Sequence, residues 1–500
     1  MSARPSLASR PIRQGKPARL IAAGLILVAS AGCTLGPNYR APPTATPKTW
    51  SAVKSPSIIA TDPAAETKLA RWWTVFNDPE LDQLVSRAII ANLDIKAAAL
   101  RVEEARALLN YVRAGYFPSV SAGLGADYQR LSTSTKYPVA GGLSNSFQAG
   151  FDASWELDFF GGTRRAVEST KAIVEAEEDE RQATVVTLLG DLGNDYATLR
   201  ATQERLQIAQ RNLAVEEQIL EFTQARSDHG LASELDVAEA QAQVDTLQSD
   251  IPDFQAAISQ QEYAIAELLG EQPDALQDEL AATLGILTPP PSLPAEIPSE
   301  VLRNRPDVKA AERALASATA GIGAAEAAYF PTFTINPSLD IQSGWLHKLL
   351  SAGSLAWAIP ASVQMPIFDS GKIAAEVSLA KSFASGSLIT YQKTVLTAFR
   401  EVETALAGYQ AAKTKLDSLT AAAAADQTAL DRATDLYRNG IGDFITVLDN
   451  ERSLYAAQDA VAQGPLSIAA ETITLYKALG CGWQSAPLSA PPNPKHPISG

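Results

Sequence analysis

The chain contains only three histidines among 500 residues, and their positions predict no shared chemistry. His229 and His347 fall in predicted turns or loops and His496 in the C-terminal tail, a spacing that fits neither a metal site nor a catalytic triad. Adjacent carboxylates at 177–178 and 216–217 could act as acid and base. Because they fall on long predicted helices, we expect them to be solvated. We therefore predict that the protein is not an enzyme and has no metal or catalytic cofactor.

Cys33 is the residue whose surroundings predict a covalent modification. It follows the small residues 29–32 at the end of an apolar run, a pattern that resembles the lipobox of bacterial lipoproteins. The expected modification is diacylglycerol on the thiol and palmitate on the new N-terminus, which together anchor a protein firmly. Thr34 behind the cysteine predicts sorting to the outer membrane. With Cys33 acylated, Cys481 has no partner for a disulfide. The alternative is an ordinary cleaved signal peptide with a chance cysteine.

Residues 1–32 are predicted to be a lipoprotein signal peptide. They combine five basic residues and no acidic residue with an apolar run over 20–32, about half of the length that spans a bilayer as a helix. The whole chain has 56 acidic and 41 basic residues, which disfavours binding to nucleic acid. No other stretch predicts a transmembrane helix, so we expect any membrane insertion to use β-strands.

Much of the chain occurs twice, which predicts a tandem duplication. The segment at 94–98 recurs at 307–311, and the Tyr-Phe-Pro segment at 116–118 recurs at 329–331, both displaced by 213 positions. From 184 to 270 the displacement becomes 210 and continues without a gap. The predicted segments are a signal peptide (1–32), a lipid-anchored segment (33–78), a first repeat (79–287), a Pro-rich linker (288–298), a second repeat (299–483) and a Pro-rich tail (484–500).

Each repeat is expected to contain a helix, two strands and a helical hairpin. The strands are predicted at about 119–130, 146–160, 332–342 and 354–368, because apolar and polar residues alternate there. Such lengths exceed the usual strand of a soluble protein and suit a tilted crossing of a bilayer. Pro360 predicts a bend in the last strand. Two soluble hairpins on a packed core are the alternative.

The hairpins are predicted at about 163–270 and 371–479, with turns at Gly230 and Gly440. Apolar residues recur every seven positions in the first long helix, which is a coiled-coil signal. These positions are Val185, Leu192, Leu199, Leu206, Leu213 and Leu220. Taken alone, the helices would equally suit a soluble structural coiled coil.

Four strands cannot close a barrel in lipid, so we expect closure by identical chains. Two copies would supply eight strands with a filled interior, whereas three would supply twelve and leave a lumen. The polar strand faces suit water. The expected fold is therefore an α+β membrane protein with a 12-stranded trimeric transmembrane β-barrel, four strands per protomer, continued by an α-helical coiled-coil barrel in the periplasm.

The chain resembles the outer membrane factors of the TolC and OprM type, and more narrowly the NodT-like efflux lipoproteins. The motifs that carry the resemblance are residues 33–39 (CTLGPNY), Trp72-Trp73, Asp78-Pro79, the two Tyr-Phe-Pro segments and residues 476–480 (YKALG). The resemblance implies a homotrimeric, passive channel in the outer membrane. It also implies a periplasmic adaptor and an inner-membrane pump of RND type as partners, with small toxic molecules as cargo.

The resemblance further implies a gate where the periplasmic helices turn. Tyr437, Ile445 and Asp449 match its pattern in the second repeat, Asp236 matches in the first, and Arg438 is the expected basic partner. We expect three copies of Asp449 to ring the lumen, tied to Arg438 or capped by Tyr437.

Contacts with the adaptor are expected at the same helix ends, on small or apolar residues. These are Gly230, Leu231 and Ser233 in the first repeat and Gly440, Ile441 and Asp443 in the second. Two other functions stay open: a channel for protein secretion of type I, and a structural surface lipoprotein that conducts nothing.

Overall fold

The computed structural model describes residues 34–43, 46–47, 49–51, 69–130, 143–282, 285–289, 301 and 304–486. Its helices are α1 (Pro79–Ala91), α2 (Leu93–Arg113), α3 (Gly162–Asp228), α4 (Glu234–Leu268), α5 (Gln277–Leu280), α6 (Pro306–Ala327), α7 (Lys372–Arg438) and α8 (Phe444–Ala478). Its strands are β1 (Ser119–Arg130), β2 (Leu143–Leu157), β3 (Thr332–Ile335), β4 (Ser338–Ser343), β5 (Leu355–Ala358) and β6 (Ala361–Gln364). The predicted signal peptide, Cys33 and most of the Pro-rich linker and tail lie outside the described residues.

The chain divides into two compact units, each assembled from both predicted repeats. The first unit comprises Arg106–Ile173 and Leu315–Ser387 together with the described residues up to Arg40. The second comprises Val174–Ala314 and Leu388–Gly500 with the segment that begins at Ala41. All six strands belong to the first unit, and the helical turns at Gly230 and Gly440 belong to the second.

The sheet of the first unit keeps most of its large apolar side chains on one face. β1 pairs with β2, and the path β5-β4-β2-β3-β6 completes the sheet, all antiparallel where pairs are formed. Leu124 lies opposite Ala149, Phe151 opposite Leu339, and Phe333 opposite Val363. Most of the intervening polar residues pair with each other in the same way, as Ser121 does with Asp152 and Gln148 with Gln342. The alternation that the sequence shows is therefore carried across most of the sheet, and its large apolar side chains are mostly exposed in a single chain.

Prolines divide the two strands of the second repeat. The predicted strand 332–342 is broken at Pro337 into β3 and β4, and the predicted strand 354–368 is broken near Pro360 into β5 and β6. Proline has no N–H to donate, but its carbonyl still accepts. The Pro337 carbonyl accepts from the Ala153 amide at 2.8 Å, and that of Pro360 accepts from the Asn336 amide at 2.9 Å. The strand is interrupted near Pro360, where a bend was expected, whereas the break at Pro337 was not predicted.

The long helices bury the positions that recur every seven residues. Val185, Leu192 and Leu199 of α3 are buried, as are their counterparts Val395, Val402 and Tyr409 of α7. Later positions of the same rows, such as Leu206 and Leu416, are half-buried in the single chain. Within the described ranges, no helix contains a segment long and apolar enough to cross a membrane.

The core of the second unit contains residues from the segment that leads into α1 and from the end of α8. The Trp72 ring stacks on the Tyr476 ring, with centroids 5.4 Å apart, among buried side chains from α1, α3 and α8. Asp78 caps α1 by accepting from the amides of Glu80 and Leu81, and its other oxygen accepts from the Tyr196 hydroxyl at 2.9 Å. The short motifs at 72–73, 78–79 and 476–480 thus contribute to one core.

Candidate functional site

Two equivalent turns join the long helices, and we call residues 229–233 and 439–443 the first and second tip turns. Gly230 and Gly440 have positive φ angles of 71° and 74°, a region that glycine adopts without strain. In each turn an amide bonds back five residues, from Leu231 to the Arg226 carbonyl and from Ile441 to the Leu436 carbonyl. The predicted role of both glycines in ending the helices is confirmed.

The tip turns differ in how the next helix begins. Ser233 accepts from the Asp236 amide while the Asp236 carboxylate accepts from the Ser233 amide, which forms a capping box at the start of α4. Asp443 occupies the equivalent place before α8, and its side chain makes no capping hydrogen bond. Asp236, a predicted gate residue, therefore also has a local structural role.

Tyr437 lies in a small cluster between the two tip turns. Its ring centroid is 5.4 Å from that of Phe444 and 4.9 Å from the guanidinium carbon of Arg226. Phe444 and Leu448 of α8 are buried there together with Ala240 of α4. This contact brings the ends of α3 and α7 together, so we call Arg226, Tyr437, Phe444, Leu448 and Ala240 the tip cluster.

The Tyr437 hydroxyl has an unusual environment. It is buried, and among the described residues it has no hydrogen-bond partner. Burial raises the pKa of Tyr437, Arg226 opposes that rise, and the Asp236 carboxylate adds to it. Tyr437 and Asp236 are therefore electrostatic neighbours, and the cation beside the tyrosine is Arg226.

Ile445 and Asp449 share an exposed face of α8, four residues apart. A carboxylate oxygen of Asp449 lies 3.8 Å from the Arg452 guanidinium. Arg438 ends α7 and is exposed. Within one chain, Asp449 thus pairs with Arg452, and the expected bond to Arg438 stays a prediction.

The predicted adaptor contacts lie at the outer surface of the tip turns. Leu231 is 66% exposed and Ile441 is 77% exposed, an unusual degree for apolar side chains. Gly230, Ser233, Gly440 and Asp443 are also exposed.

Sequence reasoning missed Arg226 and misjudged Glu216. Arg226 is far from Tyr437 in the sequence, and only the packing of the hairpins brings them together. Glu216 was expected on a solvated helix face, but it is fully buried against Glu451, whereas Glu217 is exposed.

The residues that follow Cys33 are held against α3 and α6 in the first unit. Arg165 donates to the Leu35 carbonyl at 2.8 Å, to the Gly36 carbonyl at 3.2 Å and to the Asn38 side chain at 2.8 Å. Gly36 has a φ of 81°, and a Cβ there would clash with the backbone of Gly323. The chain is therefore anchored from its first described residues, and Cys33 itself lies outside them.

Comparisons with known proteins agree on one family. A family model described as outer membrane efflux protein matches residues 84–271 and 297–481. The antibiotic efflux pump outer membrane protein ArpC of Pseudomonas putida is 32% identical, over 90% of this chain and 93% of that protein. The probable outer membrane lipoprotein SilC of Salmonella typhimurium is 32% identical, over 91% and 96%. The solved structure of the outer-membrane channel OprN matches with a TM-score of 0.83 and 34% identity, over 90% and 100%.

These matches and the fold define the class. The chain belongs to the outer membrane efflux protein family. It is the outer-membrane channel component of an efflux system, and its place is the outer membrane.

Proposed function

We propose that three copies of this chain form a passive conduit that carries small molecules across the outer membrane. The observation that carries the proposal is the sheet, in which most pairings keep polar residues on one face and exposed apolar residues on the other. A sheet of this kind suits water on one side and lipid on the other.

The outer edges of the sheet support closure by further copies. β1 pairs only with β2, and β5 and β6 form the opposite edge, among the strands that the structure describes. Open edges in lipid would leave backbone N–H and C=O groups unpaired, which costs several kcal/mol per group. Four long strands from each of three chains would give a twelve-stranded barrel with a lumen.

The helices and the repeats fit the same assembly. Heptad positions that are only half-buried in one chain, such as Leu206 and Leu416, have apolar surface left for a neighbouring copy. We further propose that the chain arose by tandem duplication, with repeats at 79–287 and 299–483. The two separate matches to the family model support this division.

We propose that the tip turns form the gate. Ile445 and Asp449 would face the lumen, with three Asp449 carboxylates attracting cations. Tyr437 and Asp236 would hold the second tip turn closed from behind, and Arg438 would be free to pair with a neighbouring copy. Adaptor binding at the tip turns would move the second hairpin outward, because its N-cap lacks the capping box of the first.

The proposed partners are a periplasmic adaptor and an inner-membrane pump of RND type. Exposed Leu231 and Ile441 would bind the adaptor, with the smaller residues Gly230, Ser233, Gly440 and Asp443 around them. Diacylglycerol and palmitate on Cys33 would anchor each copy, and the lipoprotein relative SilC supports that modification. The name of ArpC concerns antibiotics, which supports a small-molecule cargo for this chain.

The test is single-channel recording with the purified protein in planar bilayers, together with chemical crosslinking in detergent. We expect a trimer and a steady ionic current. A monomer without conductance would contradict the channel and favour a structural lipoprotein. Secretion of a protein by the producing strain, without a change in its drug susceptibility, would favour the type I alternative.

Two substitutions in β1 test which face of the sheet contacts lipid and which contacts water. Leu124→Arg puts a charge on the apolar face, where the cost is about 2–4 kcal/mol at the bilayer midplane, and should prevent insertion. Ser121→Arg puts the same charge on the polar face and should permit insertion with a smaller conductance. Equal behaviour of the two variants would contradict the assignment of faces.

A further inference from the structure

Three polar contacts connect α3 to α8 along the two antiparallel helices. Asp191 accepts from Lys477 at 2.9 Å, and Arg205 donates to Asp459 at 2.6 Å. Both are pairs of opposite charge. The third contact, nearest the tip turns, joins Glu216 to Glu451, which are two acids.

This carboxyl pair is the most deeply buried of the three contacts. Glu216 is 0% exposed and Glu451 is 4% exposed. Among the residues that the structure describes, no group donates a hydrogen bond to either oxygen of Glu216 or to Oε2 of Glu451. Two ionised carboxylates in such a place would repel each other and lack donors, which is costly inside a protein.

The groups around the pair do not neutralise it. Arg452 is the cation that acts on Glu216, but its Nε donates to Gln243 of α4 at 2.8 Å and its guanidinium also lies near Asp449. Tyr455 of α8 lies beside both carboxyls. Burial raises the pKa of Tyr455, and the charges of the two carboxyls add to the rise. Among the described residues, no charged group of α4 or α7 acts on the pair.

We propose that Glu216 and Glu451 bind one proton between them and that this shared proton holds α8 against α3 beside the tip turns. The protonated carboxyl donates its O–H to the facing carboxylate, which supplies the missing donor and removes the repulsion. When the proton leaves to solvent, two negative charges face each other in the interface, and the second hairpin loosens.

The expected direction of the pH effect follows from linkage. Burial raises the pKa of both carboxyls, and for Glu451 the charge of Glu216 adds to it. A group whose pKa is raised by folding stabilises the folded interface below its ordinary pKa, and this contribution is lost as the pH rises towards the folded value. The hairpin should therefore be held most firmly at acidic pH and loosen towards alkaline pH.

The direct test is infrared difference spectroscopy of the purified protein in detergent, for the carbonyl stretch of a protonated carboxyl. At pH 7 the wild type should show a band that the double variant Glu216→Gln/Glu451→Gln lacks. The control Glu217→Gln, an exposed neighbour with the same charge change, should keep the band. Identical spectra of the wild type and double variant from pH 5 to pH 9 would overturn the proposal. So would a band that millimolar MgCl₂ abolishes at pH 7, because the pair would then be a cation site.

Hydrogen exchange measures how firmly α8 is held against α3. In the wild type and in Glu217→Gln, protection of the α8 amides from Phe444 to Leu454 should fall by up to about tenfold per pH unit, beyond the intrinsic change in exchange rate. In Glu451→Gln the amide donates to Glu216 as the proton would, so protection should not depend on pH. Glu216→Gln is the mirror variant and should behave alike. A pH dependence unchanged in both variants would overturn the holding role.

The effect of the carboxyl pair on opening of the gate rests on the proposed channel function. In bilayer recordings, alkaline pH should raise the open fraction of the wild type more than that of Glu451→Gln. If the wild type carries no current at any pH, the proposed function fails while the infrared result still decides on the proton. If it conducts but both proteins respond alike to pH, the carboxyl pair does not control the gate.

Discussion

Arg226 connects two parts of the tip cluster that the sequence keeps more than 200 residues apart. Its guanidinium lies over the Tyr437 ring and donates to the Leu231 carbonyl at 3.2 Å in the first tip turn. One side chain thus contacts the first turn and the end of α7, which precedes the second turn. We expect this contact to favour the closed arrangement of the proposed gate.

Arg226→Ala should raise the open fraction in single-channel recordings about fivefold. The lost cation–π contact is worth about 1 kcal/mol at a half-exposed site, which corresponds to that change in equilibrium. Arg211→Ala is the control, because Arg211 lies on the same helix, is exposed and pairs only with Glu204 among the described residues. Equal open fractions in the two variants would exclude Arg226 from the gate.

Asp449→Asn should weaken the preference of the channel for cations. Three carboxylates around a lumen attract cations, and the amide keeps the shape without the charge. The measurement is the reversal potential in a KCl gradient, which should move towards zero. Asp278→Asn makes the same charge change on α5, and an equal shift there would mean that Asp449 has no special place in the lumen.

The tip turns also differ as elements, since only the first has a capping box. Ser233→Ala should destabilise the start of α4 by about 1 kcal/mol. The amides from Glu234 to Val237 should then exchange about fivefold faster. Asp443→Ala should change the start of α8 much less, because the Asp443 side chain makes no capping bond. Hydrogen exchange with mass spectrometry measures both, and equal effects would contradict the difference between the turns.

Elements with a strong local signal could be predicted from the sequence. The alternation of β1 predicts its bounds, and the glycines at 230 and 440 predict the helix ends. The sequence does not mark Pro337 as a break, because apolar and polar residues keep alternating on either side of it. In the structure its carbonyl still accepts a hydrogen bond from the neighbouring strand. The contacts of the site were harder to predict. Arg226 and Glu216 meet residues of the other repeat, and no spacing within one helix shows such a contact.

At the scale of the whole molecule, the proposed lipid anchor can be tested by substituting each of the two cysteines. Cys33→Ser should abolish incorporation of labelled palmitate, because the modified thiol and the new N-terminus are both lost. Cys481→Ser is the control, since Cys481 is buried in the core of the second unit and should not affect labelling. Label that persists in Cys33→Ser would exclude lipidation there.

The carboxyl pair is absent from the equivalent place in the other half of the chain. At the displacement of 210, Glu216 corresponds to Asp426 and Glu451 to Gln241. In a closed ring of three copies, Asp426 of one copy would face Gln241 of the next, where the amide is itself a donor. Of the six helical seams around such a ring, only the three inside single chains would then respond to alkali. Such a ring would be nearly sixfold in geometry but threefold in its response to pH. At alkaline pH, the two hairpins of one chain would separate before the hairpins of neighbouring chains did.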